Sequence, residues 1–165
     1  MIENILAKLF EHNIWANDQI IQACSALSDA QLDAEPQSIT KGTIRETLQH
    51  LVRAQAGYLA LLTLTVEARV KPSPAFSELR QAARISGEGL LALAGGEHFQ
   101  QMESRLQTKD GYFVQPWVVM LQVINHAGEH REQIKSMLSA LGVTPPDIDG
   151  WDYGDFTGAL IPMQA

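Results

Sequence analysis

The sequence predicts an all-α fold: an antiparallel four-helix bundle with a small hairpin before the fourth helix and an irregular C-terminal tail. Three observations carry that expectation. Apolar residues recur at helical spacing through four stretches, Gly and Pro punctuate the boundaries between them, and one short stretch without a helical stripe offers an Asp-Gly turn between extended flanks. The chain has 165 residues, 45% of them hydrophobic, enough for one sizeable core, so residues 1–165 are read as a single domain.

The first helix is expected from Ile2 to Leu27, where Ile2, Ile5, Leu9, Ala16, Ile20, Ala23 and Leu27 form one stripe. Ser28 to Lys41 reads as a connector. Thr43 followed three residues later by Glu46 has the form of a capping box and opens a second helix that runs to about Val66. Lys71, Pro72, Ser73 and Pro74 break the pattern. A third helix, from Pro74 to Ala94, is weakened by Gly87 and Gly89 and stops at Gly95 and Gly96. Between Phe99 and Gln115 the Asp110-Gly111 turn predicts the hairpin. Pro116 suits a helix start, and Val119, Val123, His126, His130, Ile134, Met137 and Leu141 make the stripe of a fourth helix that ends at Gly142. The remainder lacks periodicity but carries Trp151, Tyr153 and Phe156, so it is expected to pack over the helices.

Composition excludes several functions. With 12 basic and 19 acidic residues the net charge is −7, and no basic cluster appears that would release counterions from a nucleic acid. No apolar run approaches the roughly 20 residues of a membrane span, so a soluble protein with no membrane partner is expected. Cys24 is the single cysteine and cannot form an internal disulfide, which points to the cytoplasm.

His126 and His130 lie four residues apart on one helical face, within the stripe that should turn inward. Two desolvated imidazoles must find partners: either each is a hydrogen-bonded core histidine, or both ligate one divalent cation. Spacing alone leaves both readings open. His50 is a third candidate ligand on the second helix, beside Ala54 and Gly57, whose small side chains would let another helix approach closely. Three imidazoles with an open coordination position suit a catalytic metal, whereas a structural zinc site usually has four protein ligands.

The segment from Val123 to Ile134, with Asn125, His126, His130, Arg131 and Gln133 in order, resembles the NHxxxHRxQI signature of the DinB-like superfamily of metal-binding four-helix bundles. Thr43 to Leu51 resembles its second-helix segment ending in a histidine ligand, and Asn13, Ile14, Trp15, Ala16, Asn17 its first-helix motif. The resemblance spans nearly the whole chain. It implies a triad of His50, His126 and His130 holding zinc, nickel, iron or manganese, and a homodimer. Gly128 and Glu129 depart from the pattern, standing where small residues and another histidine are common in the family.

Characterised members include transferases and isomerases that use low-molecular-weight thiols. The resemblance therefore implies a metal-dependent thiol S-transferase acting on small electrophiles, the metal activating the sulfur. His12, on the edge of the first helix, and Glu129, beside the ligand stripe, are candidate catalytic residues. Glu46 and the acidic group Asp147, Asp149 and Asp152 are weaker candidates, and His98 and Cys24 read as non-functional. A non-catalytic metal-binding or stress-response bundle, with a filled coordination sphere and no cavity, is the alternative. A bundle without metal, its apolar stripes serving a subunit interface, is the third.

Overall fold

A computed structural model describes residues 4–36, 42–70, 73–96 and 105–163. Helix α1 (Ile5–Ser25) starts at Asn4, whose side-chain oxygen accepts from the Leu6 and Ala7 amides. A one-turn helix, α2 (Asp29–Leu32), capped by Ser28 and Gln31, occupies part of the expected connector. Helix α3 (Ile44–Thr63) opens with the capping box read from the sequence: the Thr43 hydroxyl accepts from the Glu46 amide and the Glu46 carboxylate from the Thr43 amide. Helix α4 (Leu79–Gly95) follows a 3-10 turn over Phe76–Glu78, so it begins later than Pro74. The hairpin is present but short, with β1 (Leu106–Gln107) and β2 (Phe113–Val114) antiparallel and Leu106 opposite Val114. His98 and residues 99–104 lie outside the described residues.

Helix α5 (Pro116–Ala140) takes Pro116 in its first turn. At its end Gly142 adopts φ +72°, and the Gly142 and Val143 amides turn back to the Ser139 and Leu138 carbonyls, closing the helix. The tail meets the helices only in part, since Trp151, expected to pack there, is exposed, and it is not irregular throughout. Residues Gly150–Phe156 form helix α6, nucleated by a reciprocal cap between Asp149 and Asp152. Ile148 is buried before it, and the rings of Tyr153 and Phe156 meet that of Trp15 of α1 at tilted angles.

The four long helices close a ring in which α1 touches α4 and α5, and α3 touches the same two. Their directions correct the antiparallel expectation. Asn4 reaches the Ala94 carbonyl and Arg80 pairs with Asp18, so α1 and α4 run oppositely. Packing of Ile44 and Leu48 with Leu79, and of Leu62 with Leu90, makes α3 and α4 parallel. By the same evidence α3 opposes α5, whereas α1 and α5 are parallel. Length explains this. The connector of about a dozen residues after α3 can reach about 40 Å when extended, more than the roughly 30 Å length of a 20-residue helix, so the chain returns to the far end before α4 begins.

The glycines also differ from expectation. Gly57 has open space where a Cβ would stand, so it admits no neighbouring helix. Close approach occurs instead on α4: a Cβ at Gly87 would lie 2.7 Å from Ile14 Cγ1 of α1, and one at Gly89 the same distance from Leu59 Cδ2 of α3. Gly57 of α3 and Gly87 of α4 should therefore respond oppositely to alanine. In urea denaturation Gly57→Ala is expected to gain about 0.5–1 kcal/mol from helix propensity. Gly87→Ala should lose about 1 kcal/mol or more, because overpacking against Ile14 outweighs the same gain.

Candidate metal centre

The inward face of α5 comprises Val119, Met120, Val123, Ala127, Arg131, Ile134, Met137 and Leu138, all buried. This is rotated from the stripe expected from the sequence. Successive helical residues point about 100° apart, so with Ala127 and Arg131 inward, His126 and His130 turn sideways toward α3. Both are half-buried, and His50 on α3 is exposed. The histidines thus sit at the rim of the α3–α5 contact rather than in its core.

There the three rings converge. His50 Nε2 lies 3.0 Å from His126 Nε2, which lies 3.1 Å from His130 Nε2, and the three candidate ligand nitrogens are within 4.8 Å of one another. Nitrogens bound at about 2.1 Å to one cation stand roughly 3.0–3.4 Å apart for inter-ligand angles between 90° and tetrahedral. The donor set therefore fits a divalent metal. His130 Nδ1 lies 2.7 Å from Gln133 Oε1; the amide oxygen only accepts, so Nδ1 carries the proton and Nε2 presents its lone pair to the cluster. Burial, then the neighbouring His130 and His50, push the His126 pKa down to about 4. Burial, then His130 and Arg53, also lower that of His50. Both rings are consequently neutral at pH 7, the form that ligates metal. Tyr58 meets His126 edge-on, with ring centroids 5.8 Å apart.

The chain belongs to the DinB family. The model of that family matches residues 1–163. Comparison with curated proteins gives no match. Among solved structures, a candidate DinB member from Exiguobacterium sibiricum is similar, with 16% identity and TM-score 0.60 over 83% of this chain and 92% of that one. At that identity the likeness speaks for the fold. No helix among the described residues is long and apolar enough to cross a membrane.

Of the remaining described candidates, Glu46 lines a hollow with His50 and His130, and the others are not brought to the triad. His12 lies 2.9 Å from the Ile148 carbonyl oxygen, to which its Nε2–H donates, and its ring packs against Trp15 and Tyr153. It fastens the tail to α1, so the general-base role expected of it finds no geometric support. Glu129 is exposed, and no described side chain hydrogen-bonds to it. The Glu46 carboxylate is engaged by the cap of α3, and those of Asp149 and Asp152 by the cap of α6. Cys24 is fully buried and its thiol is pushed up to about 12 by burial, which makes it an inert core residue.

Sequence reading also passed over a buried polar network behind the triad. Arg131, only 6% exposed, donates from Nη1 to Asn13 Oδ1 at 2.6 Å and Asn17 Oδ1 at 2.8 Å. Asn13 and Asn17 each donate to Gln55 Oε1, and Gln55 Nε2 donates to the Ala83 carbonyl and the Ser86 hydroxyl. Residues of α1, α3, α4 and α5 are thereby joined. Its sequence signal is Asn13 and Asn17, spaced four apart inside the first helix's apolar pattern. Arg131→Ala should destabilise the protein by about 3 kcal/mol or more, through a cavity and two buried amide oxygens left unpaired. Equilibrium urea unfolding measures this, and an unchanged midpoint would refute the role.

Proposed function

We propose that this protein is a metal-dependent enzyme of the thiol S-transferase type acting on small electrophiles, a four-helix bundle whose His50, His126 and His130 hold zinc, nickel, iron or manganese. The observation that carries the reading is the convergence of the three imidazoles at a half-open rim, with the Nε2 atoms of His50 and His130 both turned to that of His126. A bound divalent cation supplies Lewis acidity, which favours the thiolate form of a sulfur nucleophile and polarises an acceptor. The transfer itself balances simply. The thiol gives up its proton, the sulfur lone pair forms a bond to the electrophilic carbon, and the leaving group departs with its bonding electrons.

The chain's own residues supply placement. Gln133 fixes the tautomer and orientation of His130, Tyr58 braces the edge of His126, and the Arg131 network holds α5 against α1, α3 and α4. A hollow of about 430 Å³ lined by Glu46, Thr47, His50, Arg53 and His130 gives small molecules access to the triad. That access favours catalysis over the alternative of a purely structural metal, which calls for a fourth protein ligand and a closed site. Assembly as a homodimer and a cytoplasmic setting belong to the same reading.

Untagged protein should contain close to one equivalent of divalent metal. His50→Ala, His126→Ala and His130→Ala should each lower metal content at least tenfold in elemental analysis, as expected when a three-ligand site loses one imidazole. Metal-loaded wild type should conjugate a low-molecular-weight thiol to a chromogenic electrophile, and the variants should not. Unchanged metal content in all three variants would overturn the site; full occupancy with no turnover across a panel of thiols would leave the structural alternative standing in place of the enzyme.

A further inference from the structure

Beside the triad lies a groove of about 600 Å³ whose chemistry the metal reading does not use. One wall is α3, from His50 through Ala54 and Gly57 to Leu61; the other comes from the segment after α3 and the hairpin, with Arg69, Val70 and Lys109. Its lining contains three cationic side chains, Arg53, Arg69 and Lys109, and no carboxylate among the described residues. In a chain of net charge −7 this is a local reversal of sign.

The cations divide their tasks. Arg69 directs its guanidinium to the backbone carbonyls of Leu61, Leu64 and Gln107, and so fixes the hairpin to the end of α3. Lys109 donates once, to the Arg69 carbonyl at 2.7 Å, and an ammonium has two further donors. Arg53 donates from Nε to the Gln49 carbonyl, which leaves both terminal nitrogens for a ligand. None of the three belongs to an ion pair among the described residues. The acids near the groove lie outside its lining: Glu46 borders the adjoining hollow with Arg53, Asp110 follows Lys109 in the turn, and Glu67, its pKa lowered first by its own backbone N–H, then by the Thr65 hydroxyl, and least by Arg69, lines a separate hollow.

Position makes the charge useful. His50 and Arg53 border both this groove and the hollow that reaches His130, so a molecule with one end at the triad can extend its other end into the groove. We propose that the groove seats an anionic, partly apolar substrate, its carboxylate-like group held by Arg53 and Lys109 and its carbon skeleton lying along Ala54, Gly57 and Leu61. The assignment rests on the transferase reading of the triad and adds to it the charge of the substrate. Overall negative charge would repel such a molecule elsewhere on the surface, so the groove also selects the face from which it approaches.

The test uses two probes without a thiol, 4-phenylbutyrate and its neutral amide, titrated calorimetrically into metal-loaded and metal-stripped protein. Wild type should bind the carboxylate about tenfold more tightly than the amide in both metal states, the scale of one charge-assisted contact. Added salt should reduce that preference. In Arg53→Gln/Lys109→Gln the preference should fall below about twofold with metal content unchanged, while Lys135→Gln, remote from the groove, should keep it. Thermal melts of both variants confirm folding. Absence of binding or of preference in wild type, preference retained in the double variant, or preference seen only with metal bound would each overturn the assignment. Failure of the transferase reading is separate: metal or turnover would be missing while the carboxylate preference stands.

Discussion

The structure depends on one buried cation that has no carboxylate partner among the described residues. Arg131 carries its charge into the middle of the helix ring, where burial pushes the guanidinium down to about 10 and still leaves it protonated at neutral pH. It is accommodated because Asn13 and Asn17 turn their carbonyl oxygens toward it, and these amides are oriented in turn by Gln55. No buried side-chain nitrogen or oxygen among the described residues lacks a hydrogen bond. Such a network is satisfied in one arrangement only, since rotating or sliding any of the four helices would strand a charge or an amide in a low-dielectric interior. Apolar clusters lie at either end and supply the burial, and they tolerate small shifts more readily than the polar layer does.

The position of the histidines follows from that constraint. With Arg131 committed to the centre, His130 is one residue away and must face about 100° to the side, and His126 lies one turn before it. Helix α3 runs opposite to α5 on that side and brings His50 within reach. A core location would have desolvated the three rings completely and shut out any reactant. The rim keeps them partly sheltered yet reachable, with His50 exposed and hollows opening beside it. Fold and site are thus linked through neighbouring residues of one helix, one fixing its rotation and the others using it.

Much of this was legible in the sequence, and the failures have local causes. The Thr43–Glu46 cap, the Gly142 stop and the Asp110-Gly111 turn are short-range signals, and each marks the boundary it predicts. The spacing of His126 and His130, joined to the family motifs, brought in His50, and the three rings do converge. The rotation of α5 was misjudged because two stripes overlap: Val119, Val123, Ile134 and Met137 belong to both, and the burial of Arg131 becomes evident only with its amide partners on α1. Helix direction is a long-range property, so the parallel run of α3 and α4 left no local trace beyond a long connector. Helix α6 has seven residues, too few for a periodic pattern, and only its Asp149 and Asp152 caps announce it. Gly57 and Gly87 look alike in sequence, and only the neighbouring helices distinguish an open position from a close approach.

The central claim is that these three imidazoles share one metal ion. X-ray absorption spectroscopy of metal-loaded protein tests it most directly, because the outer-shell scattering of the imidazole ring counts histidine ligands independently of any assay. The spectrum of wild type should require three imidazoles at about 2.1 Å, and that of residual metal in His50→Ala should require two. A first shell without imidazole scattering, or a count that does not change when His50 is removed, would contradict the account.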